Sequence, residues 1–216
     1  MESQVRGGTR WKRFAVVMVP SVLATAAVGV GLAQGALAAS FSVSGQEFKV
    51  KAGHLEGWGF AQYGGMDEGY ASVAGDKTKM VQRPVAISSF KRAEITEMCQ
   101  SVKTTIPVIN KTIYLRLDAG PNENRKVEAK NLYIDVAQLD ADATFEDIDI
   151  GVAVRDQSRG PAVKEDGTSL PGGFAQQARK ANLYNVEQTA WATSAGTFKL
   201  NGLKMRLGTD SKMECF

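Results

Sequence analysis

The chain has 216 residues, 26 of them basic and 23 acidic, with a formal net charge of +3 and 44% hydrophobic residues. Four of the basic residues and one acidic residue stand before residue 40, so the remainder carries 22 of each sign and is neutral. That balance excludes the clustered basic footprint of a nucleic-acid binder, and about 178 residues suffice for one domain with a sizeable core.

Arg6, Arg10, Lys12 and Arg13 precede an uncharged stretch from Phe14 to Ser40 in which Ala36-Leu37-Ala38 forms the exit. A basic start, an apolar core and a small-residue exit are the layout of a secretory signal. The core exceeds the ~7–15 residues of a usual cleaved signal, and Phe14 to Leu32 approaches the ~20 that span a bilayer as a helix. An uncleaved N-terminal hydrophobic helix, holding the protein to the membrane through residues 14–39, therefore competes with cleavage. Gly29, Gly31, Gln34, Gly35 and the alanine-rich exit favour cleavage. With no adjacent arginine pair, general secretion is the expected route. The reading is a signal peptide or signal anchor over 1–39 and an exported domain over 40–216, secreted or extracytoplasmic.

Strand patterning dominates that domain. Phe41 and Val43, then Phe48 and Val50, alternate with polar residues, and Val85, Ile87 and Ile95 continue the style. Residues 112–117 read as a strand ended by Asp118-Ala119-Gly120-Pro121-Asn122. Between 129 and 154 the apolar positions run Leu132, Ile134, Val136, slip to Leu139, Ala141, Ala143, Phe145, and slip again to Ile148, Ile150, Val152, Val154. Each slip turns the strand over, so each predicts a bulge, a corner or a new strand. Residues 64–82, 118–127 and 155–173 read as loops, and the composition of 174–181 predicts a helix of two turns at most. The apolar phase shifts once more after Phe198 and Leu200, across Asn201-Gly202, to Leu203, Met205 and Leu207.

Short segments recur. Asn131-Leu132-Tyr133 returns as Asn182-Leu183-Tyr184, Thr144-Phe145 as Thr197-Phe198, and Gly-Phe-Ala-Gln occurs at 59–62 and 173–176. They suggest degenerate copies of one β unit. The expected fold is all-β: a single domain of antiparallel strands forming a twisted sandwich, an open barrel or a short β-solenoid.

Candidate chemistry is sparse. Cys99 and Cys215 are an even pair in an exported chain and predict a disulfide, worth about 4–5 kcal/mol of unfolded-chain entropy for so long a loop. Asp135, Asp140, Asp142, Glu146, Asp147 and Asp149 crowd one segment. Asp140, Asp142, Asp147 and Asp149 are the calcium candidates, although no Asp-x-Asp-x-Asp-Gly loop is present. The competing reading is a solvated face balanced by Lys199, Lys204 and Arg206. Ala192-Thr193-Ser194-Ala195-Gly196 approximates a nucleophile elbow, with Ser194 as nucleophile and His54, the sole histidine, as the available base. An elbow needs a helix after it and a histidine downstream, and strand pattern follows Ser194 while His54 precedes it. Gly57-Trp58-Gly59-Phe60, Tyr63, Gly64-Gly65 and Tyr70 form a glycine-rich aromatic patch suited to core packing or to lining an apolar groove.

The leader 1–8, Ala-Ala-Ser-Phe-Ser-Val-Ser-Gly at 38–45, Ala-Gln-Leu-Asp-Ala-Asp-Ala at 137–143, Ile-Asp-Ile-Gly-Val-Ala at 148–153, Gln-Thr-Ala-Trp-Ala-Thr at 188–193 and the Glu-Cys-Phe end together resemble a family of uncharacterised exported actinobacterial proteins. Members of that family often bear an automated label of cholesterol esterase. The resemblance implies an exported envelope protein and carries no catalytic or binding residue onto this chain. The expected function is a non-enzymatic cell-envelope protein presenting a β-rich binding or structural surface to a protein, glycan or lipid, with no cofactor and no nucleic acid. Two alternatives stay open: a lipid or sterol carrier, which requires an apolar cavity, and an ester hydrolase using Ser194 and His54.

Overall fold

A computed structural model describes residues 46–71, 80–106, 110–164 and 167–216. The signal segment expected over 1–39, with Phe41 and Val43, lies outside the described residues. Seven strands make one antiparallel sheet: β1 Phe48–Tyr70, β2 Met80–Thr96, β3 Met98–Ile106, β4 Lys111–Ala119, β5 Val127–Ala153, β6 Phe174–Lys199 and β7 Lys204–Gly208. The fold is all-β, and its described helical parts are the 3-10 turns Glu123–Arg125, Val154–Asp156 and Ser211–Met213.

The strand order is β2-β5-β6-β1-β3-β4-β7, and β1 also returns to β2. Strands β1, β2, β5 and β6 therefore close a ring, while β3, β4 and β7 extend from it as a side sheet. Of the three expected architectures this is nearest the open barrel, but the β1–β2 pairing closes the ring. Its stagger is large: Gly64 pairs Ala86, Ala86 pairs Val136, Val136 pairs Ala190, and Ala190 returns to β1 at Phe48, 16 residues from the start. Four strands with that stagger must tilt steeply, so the interior is narrow.

The inward residues fill it. Leu55, Phe60, Phe90, Ile95, Val127, Leu132, Ile134, Val136, Leu183 and Val186 form the main core. Tyr63, Val85, Ile87, Val154 and Ala175 form a second core at one end, closed by Val163 of the 157–173 loop and by Tyr133 and Trp191. The loop is tied down by Met66 N–H donating to Thr168 O at 3.1 Å, Tyr133 OH to Ala162 O at 2.6 Å, and Lys164 Nζ to both Asp135 oxygens at 2.7 Å.

Both slips in β5 are found within one continuous strand. The ladder to β6 shifts on either side of Val136, before Leu139, and Asp147 takes φ 53° just before Ile148. Three expectations need correction. Residues 174–181 are strand, not helix: β6 pairs with β1 on one side and β5 on the other, and Ala175, Ala178 and Ala181 are fully buried in the cores. Much of the loop expected over 64–82 is strand, since β1 runs to Tyr70 and β2 starts at Met80; a Cβ at Gly65 would meet Ile87 Cδ1 at 2.5 Å, so glycine here is close packing. After the last slips Ile150, Met205 and Leu207 face outward, 66%, 61% and 70% exposed, whereas Val154 is buried in the second core with Val152 packed against it.

Of the recurring segments, the two Gly-Phe-Ala-Gln copies lie beside each other on antiparallel strands. Gly-Phe-Ala-Gln of β1 runs against Ala175–Ala178 of β6, and the two final glutamines bond, Gln176 Nε2 donating to Gln62 Oε1 at 2.6 Å. The copies are not equivalent: Phe60 is 3% exposed and Phe174 62%.

Candidate functional site

Cys99 and Cys215 are bonded, with Cα atoms 5.9 Å apart and a sequence separation of 116. The bond joins β3 to the C-terminal segment. There Cys215 N–H donates to Ser101 Oγ at 3.1 Å, and Lys49 Nζ donates to Phe216 O at 2.8 Å. Such a crosslink belongs to an oxidising environment. Among the described residues no helix is long and apolar enough to cross a membrane.

The sequence candidates are dispersed. Ser194 lies exposed inside β6, opposite Tyr133, in a continuous strand and not at a strand-to-helix corner. His54 pairs with Tyr184, stacked on its ring at 4.3 Å. Ten residues of β6 separate that rung from Ser194, roughly 33 Å along the strand, so the fold does not bring nucleophile and base together. Among the described residues no three His, Cys, Asp or Glu side chains converge as a metal site. Asp140 accepts from Gln138 Nε2 at 2.8 Å, Asp142 from Asn185 Nδ2 at 2.9 Å, Asp147 from Arg179 Nε at 2.5 Å, and Asp149 lies 3.2 Å from Arg159 Nη2. The Arg179 guanidinium bonded to Asp147 holds its carboxyl below the usual range. The partners expected for this cluster serve elsewhere, Lys199 on Glu128 at 2.9 Å and Arg206 on Asp118 at 2.6 Å. The aromatic patch divides: Phe60 packs on Phe90 and Phe145, centroids 5.3 and 5.2 Å away, whereas Trp58 lies outside between Arg92 at 4.7 Å and Lys180 at 5.6 Å.

Two cavities stand out. The larger, about 520 Å³, is a charged cleft beside the disulfide. Its ions neutralise one another, Lys51 with Glu187 at 2.7 Å and Arg116 with Asp118 at 2.9 Å. The second, about 230 Å³, lies inside the strand ring. Leu55, Phe60, Phe90, Phe145, Leu183 and Val186 supply its apolar wall, and no charged residue lines it. From Gln138 on, β5 pairs with β6 alone, and its exposed Ala141 and Ala143 stand at the chamber's mouth. Small residues on a free strand edge leave the opening that larger ones would fill.

Four polar side chains enter this apolar space: Gln62, Ser88, Gln176 and Gln188. Three form a chain, Gln176 donating to Gln62 and Gln62 Nε2 donating to Ser88 Oγ at 2.8 Å. Gln188 stands apart. It is 6% exposed, and its amide has no hydrogen-bond partner among the described residues. The sequence reading missed these residues. Their signal was parity: Gln188 shares the inward face of Val186 and Ala190, where a strand normally carries an apolar residue.

These features define the class: an all-β, disulfide-bonded strand ring with an apolar chamber opening at one strand edge. Residues 44–216 match a family of unknown function, DUF6230, and the chain belongs to it. No curated protein and no solved structure matches the chain significantly.

Proposed function

We propose that this protein is a non-enzymatic, exported cell-envelope protein whose strand ring binds an apolar ligand, joining the binding role expected from the sequence to its lipid-carrier alternative. The observation that carries the reading is the 230 Å³ chamber, walled by apolar side chains and open beside Ala141 and Ala143. Ligand sites are concave and mostly apolar, with few polar groups fixing orientation. The leader pattern and the disulfide support an extracytoplasmic place of work, and an envelope supplies lipids there.

The test is fluorescence titration of the oxidised protein with N-phenyl-1-naphthylamine, a neutral apolar dye. The expected result is saturable binding at one site, abolished by Ala143→Trp, which fills the mouth. Absence of binding, or binding indifferent to Ala143→Trp, contradicts the proposal.

A further inference from the structure

We infer that the chamber's ligand is a neutral acyl chain carrying an ester or amide carbonyl, and that Gln188, with Ser88, anchors that carbonyl. The inference rests on the proposed binding role and goes further by assigning the ligand's chemical class and its polar contacts.

The argument starts from unspent hydrogen-bonding capacity. A polar side chain with no protein partner is satisfied by water or by a ligand. Gln188 is such a group: the residue is 6% exposed, on the core face of β6 between Val50 of β1 and Leu139 of β5, and it lines the chamber, where its amide is not sealed off from accessible space. It also lines a smaller space of about 30 Å³ beyond, shared with Leu55, Ile134 and Val186. Ser88, 5% exposed, accepts from Gln62 while its own hydroxyl hydrogen has no acceptor among the described residues. Gln188 and Ser88 thus each hold a free donor toward the chamber, beside the bonded Gln62 and Gln176, and Gln188 also offers an acceptor. A carbonyl oxygen takes the donors, and an amide N–H takes the acceptor.

The lining also selects against charge. Neither Lys, Arg nor His lines the chamber, so a fatty carboxylate would lose its hydration with no cation to replace it. Size selects against a sterol: about 230 Å³ falls below the ~300–1,000 Å³ usual for drug-sized ligands, and a rigid four-ring skeleton with its side chain is too large to fit. A flexible chain fits a narrow, steeply coiled interior better.

Displacement of N-phenyl-1-naphthylamine by methyl octanoate, sodium octanoate and cholesterol tests this on the wild-type protein and on Gln188→Leu. The substitution is close in volume and apolar, so the fold is kept, as dye binding itself reports. Expected are displacement by methyl octanoate at concentrations at least tenfold lower than for octanoate, little displacement by cholesterol, and about a tenfold weakening of methyl octanoate alone in Gln188→Leu. Octanoate or cholesterol competing as well as the ester, or an unchanged ester affinity in Gln188→Leu, overturns the inference while dye binding leaves the chamber standing. Failure of the dye to bind the wild type overturns the chamber itself.

Discussion

Asp118 accepts from Arg116 Nε at 3.0 Å and from Arg206 Nη2 at 2.6 Å, tying β4 to the edge strand β7. Burial works against its charged form, but the hydrogen bonds from the two guanidinium groups hold its carboxyl below the usual range. A carboxylate with a depressed folded pKa stabilises the protein above its unfolded value near ~3.9, and that contribution fades as pH falls through the lower folded value. Asp118→Asn is therefore expected to cost about 1 kcal/mol at pH 7. The urea midpoints of the two proteins should differ constantly above about pH 5 and converge below about pH 4. A difference that persists at low pH contradicts the ion-pair account. Backbone conformation gives a second test at this scale. Gly59 has φ +63°, and a Cβ there would meet Arg159 O at 2.7 Å, so Gly59→Ala should destabilise by about 1–2 kcal/mol in urea unfolding.

At the scale of elements, β6 separates what the sequence shows from what it hides. Its first eight residues are rich in Ala, Gln, Arg and Lys, good helix formers all. They form strand because β1 and β5 flank them on both sides, a condition set by partners far along the chain, such as Phe60 and Ile148 for Ala178. Local composition cannot carry that information. Ala178→Leu discriminates between the two readings. In a solvent-facing helix it is almost neutral, whereas at a fully buried rung between Phe60 and Ile148 it should cost about 2–3 kcal/mol, read from the shift in urea midpoint. The β5 slips were legible for the opposite reason: alternation is a local property, and the changes of phase left their marks in the ladder shift at Val136 and in the positive φ of Asp147 before Ile148. The end of β1 was obscured by Gly64 and Gly65, which suit a turn by composition, yet Gly65 packs against Ile87 through the lack of a side chain.

For the whole molecule, the disulfide was legible from two cysteines and an export signal, while the chamber was not. Its walls come from β1, β2, β5 and β6, and only the ring closure brings them together. Gln188 illustrates the point: in sequence it is one more polar residue in a strand, and only the inward face of β6 gives it meaning. Reduction of Cys99–Cys215 should lower stability by up to about 4–5 kcal/mol, seen as a drop in the urea midpoint when dithiothreitol is added. An unchanged midpoint means the bond fastens only the terminus.

The most direct measurement is an NMR experiment on the oxidised protein with methyl octanoate, using methyl-labelled leucine, isoleucine and valine. Intermolecular cross-peaks from the acyl chain to Leu55, Leu183 and Val186 are the predicted result. Cross-peaks confined to the exposed Ile150, Leu203 and Leu207, or none at all, would contradict the account.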